Sequence, residues 1–151
     1  MARVSVQTVL RAFGNKETLI LEAIGTFRPT ELSILDGPPR SVGQAVTRSF
    51  DDYEEIGDRV IRMLAEEHRI PGLAEVAAVG RTMHRAWVEA AFAAQLTPFR
   101  GRQRVEVVTA LVAATDVYLW QLLRRDLGLG RSTAEAVTNR LVTGAVAPTR
   151  G

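Results

Sequence analysis

The chain has 151 residues, 46% apolar and 24% charged, with no cysteine and a formal net charge of +2. That length allows one domain with a full core, burying about 68–70% of the unfolded-chain surface. The composition excludes disulfides, thiol nucleophiles and cysteine-bound zinc, and with no run of ~18 uninterrupted apolar residues neither a membrane span nor a signal sequence is expected.

The first predicted element follows Ser5, a suitable N-cap, and turns Val9, Leu10 and Phe13 inward. Gly14 is placed to end it in the left-handed conformation, and Asn15 to cap a second helix carrying Leu19, Ile20, Ala23, Ile24 and Phe27 at helical spacing. Arg28 to Arg40 holds three prolines and a glycine and reads as a connection. Ser41 then caps a helix with the stripe Val42, Val46, Phe50, Tyr53 and Ile56. Gly57-Asp58 reads as punctuation before a further helix that Pro71 stops. Leu73 to about Leu96 forms a long helix, and Thr97-Pro98-Phe99-Arg100-Gly101 the next break.

Arg102 to Leu127 is the longest candidate helix. It has two apolar stripes, Val105, Val108, Val112, Thr115, Leu119 and Leu122 on one side and Val107, Leu111, Ala114 and Tyr118 on the other. Two apolar faces imply burial on both sides, as in a helix shared between a core and a subunit interface. After the turn Gly128–Arg131, Ser132 and Glu135 have the spacing of a capping box for a last helix with Ala134, Val137, Leu141 and Ala145. No stretch has strand periodicity, so the fold is expected to be all-α, with about seven helices.

Phe13-Gly14-Asn15-Lys16-Glu17-Thr18-Leu19 closely resembles the junction of recognition helix and linker helix in the tetracycline-repressor (TetR) family of bacterial transcription regulators. Asp116 to Leu129 (DVYLWQLLRRDLGL) is similar to the tail of the penultimate helix in many of these regulators. The resemblance implies a helix-turn-helix remnant over residues 1–14 and a linker, ligand-binding and dimerisation domain over 15–151. Only Met1, Ala2 and Arg3 precede the recognition-like segment, so the bracing helices of a complete DNA-reading head are expected to be missing.

On the exposed side of the recognition-like helix, Gln7 suits adenine and Arg11 guanine or phosphate, with Val6 beside them. Thr8 and Lys16 suit phosphate. Phe50, Tyr53, Met63, Met83, His84, Trp87, Thr115 and Tyr118 lie on stripes that a bundle turns inward. In the family this interior holds an inducer pocket, and methionine and aromatic side chains suit an adaptable apolar one; ordinary core packing is the competing reading. The resemblance also implies that Leu111, Trp120, Leu123, Val137 and Leu141 contribute to a four-helix dimer interface.

His68 and His84 are the two histidines, and their setting lacks the ligand spacing of a closed metal site. Asp51, Asp52, Glu54 and Glu55 read as a solvated helix face. Arg100, Arg102 and Arg104 bracket a helix N-terminus, where cations are unfavourable; a tolerated exposed loop is the leading reading, and a salt bridge to Asp or Glu on a neighbour the alternative. The sequence thus predicts a cytoplasmic, homodimeric, DNA-binding repressor that responds to a small apolar ligand and needs no cofactor or metal. A ligand-binding and dimerisation module without autonomous DNA binding stays open as the alternative. No nucleophile, base and orienter assemble into an enzyme site.

Overall fold

Ser41 opens the first described helix as its sequence predicts. Its hydroxyl accepts the Gln44 amide at 3.1 Å, and the Gln44 side chain returns to accept the Arg40 amide at 2.6 Å. Ser41→Ala is expected to cost about 1 kcal/mol, read as a lower urea midpoint with an unchanged slope. The computed structural model describes residues 38–147. The expectations for Val6, Gln7, Thr8, Arg11 and Lys16, and for the linker helix, lie outside the described residues.

Helix α1 spans Val42–Glu66, α2 Leu73–Ala91, α3 Ala93–Leu96, α4 Gly101–Ala114, α5 Val117–Gln121 and α6 Arg131–Ala145. A π-helical turn, Leu122–Asp126, continues α5. The described residues are all-helical, with no strand among them. Helix α1 packs on α5, α6 and α2, while α4 packs on α6 and α2. The core between them gathers Val46, Phe50, Val88, Phe92, Leu111, Trp120 and Val142.

Three helix limits differ from expectation, each for a physical reason. Gly57 does not end α1, which runs through it; the glycine instead lets the Trp120 ring rest on the helix backbone, where a Cβ would lie 2.5 Å from Cζ3. The second long helix stops at Ala91 because the fully buried Phe92 leaves helical geometry to enter the core. The expected Arg102–Leu127 helix is broken at Thr115-Asp116. Asp116 is extended (φ −76°, ψ 150°), and its Oδ1 accepts the Tyr118 amide at 2.9 Å, so it caps a new helix.

The expected Ser132–Glu135 capping box does not form, since α6 begins two residues earlier, with Gly130 at the N-cap and no side-chain cap. Glu135 is engaged by Arg131 Nε at 2.6 Å and by the Thr47 hydroxyl at 3.3 Å. Two of the crowded arginines before α4 find backbone partners rather than carboxylates. Arg100 donates to the carbonyls of Thr97 and Phe99, and Arg104 to that of Leu96, tying the connection after α3 to the start of α4. Gly101–Asp126 has the length and mean hydropathy (1.3) of a spanning segment; Val107, Val108, Leu111, Ala114, Val117, Trp120 and Leu123 from it are buried in the core of this bundle, while Val105, Tyr118 and Leu122 are exposed.

Candidate functional site

The break between α4 and α5 gathers a set of buried and half-buried polar groups. Thr115, 2% exposed, ends α4 and gives its hydroxyl proton to the Leu111 carbonyl at 2.9 Å. That oxygen is then free to accept, and His84 Nε2 stands 3.0 Å away, which places the proton of the neutral ring on Nε2. His84 Nδ1 faces Asp116 Oδ2 at 3.8 Å. From α1, the Tyr53 hydroxyl donates to the Thr115 carbonyl at 3.1 Å. Trp87 lies parallel to the His84 ring with centroids 6.0 Å apart, and Phe92 meets Trp87 edge-on at 6.2 Å.

Burial holds His84 below the usual histidine range, with the Asp116 carboxylate opposing part of that effect. Burial likewise raises the Tyr53 phenol far above its ordinary value, with Asp116 and Asp52 adding to the rise, so it serves as a neutral donor. Thr115, His84 and Asp116 repeat the connectivity of a nucleophile, base and orienter. Their geometry does not support that chemistry. The hydroxyl proton goes to a carbonyl, the oxygen is buried, and 3.8 Å is too long for a carboxylate orienting the ring.

A second polar assembly joins α1 to the π-helical turn. Arg124 holds Glu54 with two nitrogens, one of them Nη2 at 3.1 Å, and the Trp120 indole donates to the same carboxylate at 3.1 Å. Arg125 pairs with Asp58 at 2.9 and 3.0 Å while its guanidinium lies 4.4 Å from the Trp120 ring centroid. Arg131 reaches Asp51 at 2.6 Å. The hydrogen bond from Arg124 holds Glu54 below the ordinary glutamate range. The acidic face of α1 is therefore not simply solvated, because three arginines of the C-terminal segments dock on it. Sequence spacing carried no sign of these pairs, which depend on the wider π turn presenting Arg124 and Arg125 to α1.

Of the residues expected to form a ligand pocket, Phe50, Tyr53 and Thr115 line one cleft with Trp120 and Thr138, and His84 and Trp87 adjoin it through Thr115. The cleft is closed, with no room for a water molecule. The Thr138 hydroxyl, buried beside it, has no hydrogen-bond partner. Met63 and Met83 are half-buried and take no part in the cleft lining. Tyr118 is a correction, standing 52% exposed because the Asp116 cap restarts the helix in a new phase. A separate groove of about 220 Å³ is lined by Pro38 to Ser41, alanines of α2 and α3, and Gln95.

The expected interface residues divide. Leu111, Trp120 and Leu123 are buried in the chain's own core and reach no partner surface, a second correction. Val137 is half-buried against that core and Leu141 is exposed. Tyr118, Leu122 and Val105 join Leu141 among the exposed large apolar side chains. His68 sits on the surface 3.1 Å from Glu67, which Arg81 also holds, and no group of three candidate metal ligands occurs among the described residues. No protein-family model matches the chain, and neither a curated protein nor a solved structure does.

Proposed function

We propose that the chain is the regulatory body of a TetR-type transcription regulator, self-associating through its last helices and reading DNA with the segment around Gln7, Thr8 and Arg11. The observation that carries this reading is the exposure of large apolar side chains along the C-terminal helices. Of the six large apolar side chains exposed among the described residues, five (Val105, Tyr118, Leu122, Leu127 and Leu141) lie within Gly101–Ala145. Exposed apolar groups gathered on one part of a bundle favour a protein partner, and the FGNKETL motif supports a DNA-reading arm. The Tyr53–Thr115–Trp120 cleft has no room for a ligand as it stands. A response to a small apolar ligand there requires the ligand to part α1 from the α4–α5 break, and its preference for the parted state sets the size of the response.

Selection of duplexes by the full chain from a random-sequence library tests the reading. The expected outcome is enrichment of an inverted repeat with half-sites ~34–36 Å apart or a multiple of that distance. Binding should weaken steeply as salt rises from 50 to 200 mM, as phosphate contacts release counterions. Absence of any enriched or salt-dependent site would overturn DNA reading by this chain and leave a dimerising module.

A further inference from the structure

We propose that His84 is a proton-operated latch that fastens α2 to the break between α4 and α5. In the neutral ring Nε2 donates to Thr115, so Nδ1 turns a lone pair toward Asp116 Oδ2 across 3.8 Å. No hydrogen bond spans that gap. A proton on Nδ1 converts the opposed pairs into a charge-assisted bond, whose ordinary length of about 2.7–2.9 Å requires the imidazole and the carboxylate to close by roughly 1 Å. The other oxygen of the same carboxylate holds the Tyr118 amide at 2.9 Å, so the pull reaches the first turn of α5. Tyr118 is one of the exposed apolar side chains assigned above to self-association, and this consequence rests on that reading.

The groups facing the ring leave Asp116 as the partner for its second proton. Tyr53 from α1 directs its hydroxyl to the Thr115 carbonyl, and Asp52 acts on Tyr53. On α2 itself, Arg81 is held by Glu67 and Arg85 by Glu89. Because burial lowers the proton affinity of His84, the latch closes below the usual histidine range. The unfolded chain then binds the proton more readily than the folded one. Stability associated with His84 is complete above about pH 6.5, declines as the pH falls toward the folded value, and is constant below it.

Heteronuclear NMR of the full chain between pH 7.5 and 5 tests the latch. His84 and His68 are the chain's two histidines, and His84→Gln assigns the His84 ring resonances. The expected result is a Tyr118 amide shift with the midpoint of the His84 ring. Asp116→Asn keeps a capping oxygen while removing the charge, and is expected to abolish the coupled shift. His84→Gln removes it through the other partner. Sedimentation of the same samples is expected to show a self-association constant that changes at least threefold with pH in the parent chain and stays flat in both variants. A Tyr118 amide that ignores the His84 midpoint, or follows it equally in Asp116→Asn, overturns the latch. A chain that is monomeric at every pH overturns the self-association reading instead, and the amide shift in those samples still decides the latch.

Discussion

Trp120→Ala is expected to lower the unfolding free energy by about 3–5 kcal/mol, the range for truncating a buried aromatic side chain. Against a total of roughly 5–15 kcal/mol for a domain, that is enough to unfold much of the population at modest denaturant. The indole is 2% exposed, lies on the backbone at Gly57, donates to Glu54 and carries the Arg125 guanidinium on its face. Truncation opens a cavity and removes a donor from the Glu54 carboxylate at once. Gly57→Ala probes the same contact from the other side. Alanine favours a helix by about 1 kcal/mol over glycine, but its Cβ would meet ring atoms at 2.5–2.9 Å, and overpacking costs about 1–3 kcal/mol. The single variant is therefore expected to lose stability, whereas in the Trp120→Ala background the same change should gain about 1 kcal/mol. Urea unfolding of the four proteins gives the cycle. Stabilisation by Gly57→Ala with Trp120 present would sink the close-packing account.

The contrast between Ser41 and Gly57 shows which parts of the fold were legible from the chain. Ser41 is a local signal, since its cap depends on a glutamine three residues later, and it stands where expected. Glycine is ambiguous by itself. It ends a helix or lets another side chain approach one, and the choice at Gly57 is made by Trp120, far along the sequence. Thr115-Asp116 offered a readable break, because both side chains compete for backbone hydrogen bonds. The apolar stripes on either side outweighed that sign and suggested one continuous helix. Ser132 and Glu135 have capping-box spacing, yet Arg131 and Thr47 claim the glutamate. The same limit applies at the candidate site. Phe50, Tyr53 and Thr115 were recoverable from helical periodicity. The phase of Tyr118 was not, because it depends on the break, and the pairing of Arg124 and Arg125 with Glu54 and Asp58 depends on a π turn that no residue pattern announced.

Aspartate at Leu122 or Leu141 is expected to weaken self-association by about two to nearly four orders of magnitude while leaving the isolated fold nearly intact. Leu122 is 44% and Leu141 46% exposed, so a charge at either position stays hydrated in the single chain. In a symmetric dimer the situation reverses. A two-fold interface presents each substitution twice, once from each subunit, and an uncompensated charge buried there costs about 3–5 kcal/mol. That cost is of the order of a hundred-fold to several-thousand-fold in a dissociation constant. Core substitutions behave in the opposite way. Leu123→Ala creates a cavity worth about 2–5 kcal/mol in the single chain, and disturbs association only through the fold. Sedimentation equilibrium paired with thermal unfolding separates the two cases. These positions lie in the interface if the surface aspartates dissociate the chain at unchanged melting temperature. They do not if the assembly stays intact, and the apolar side chains within Gly101–Ala145 then serve a different partner.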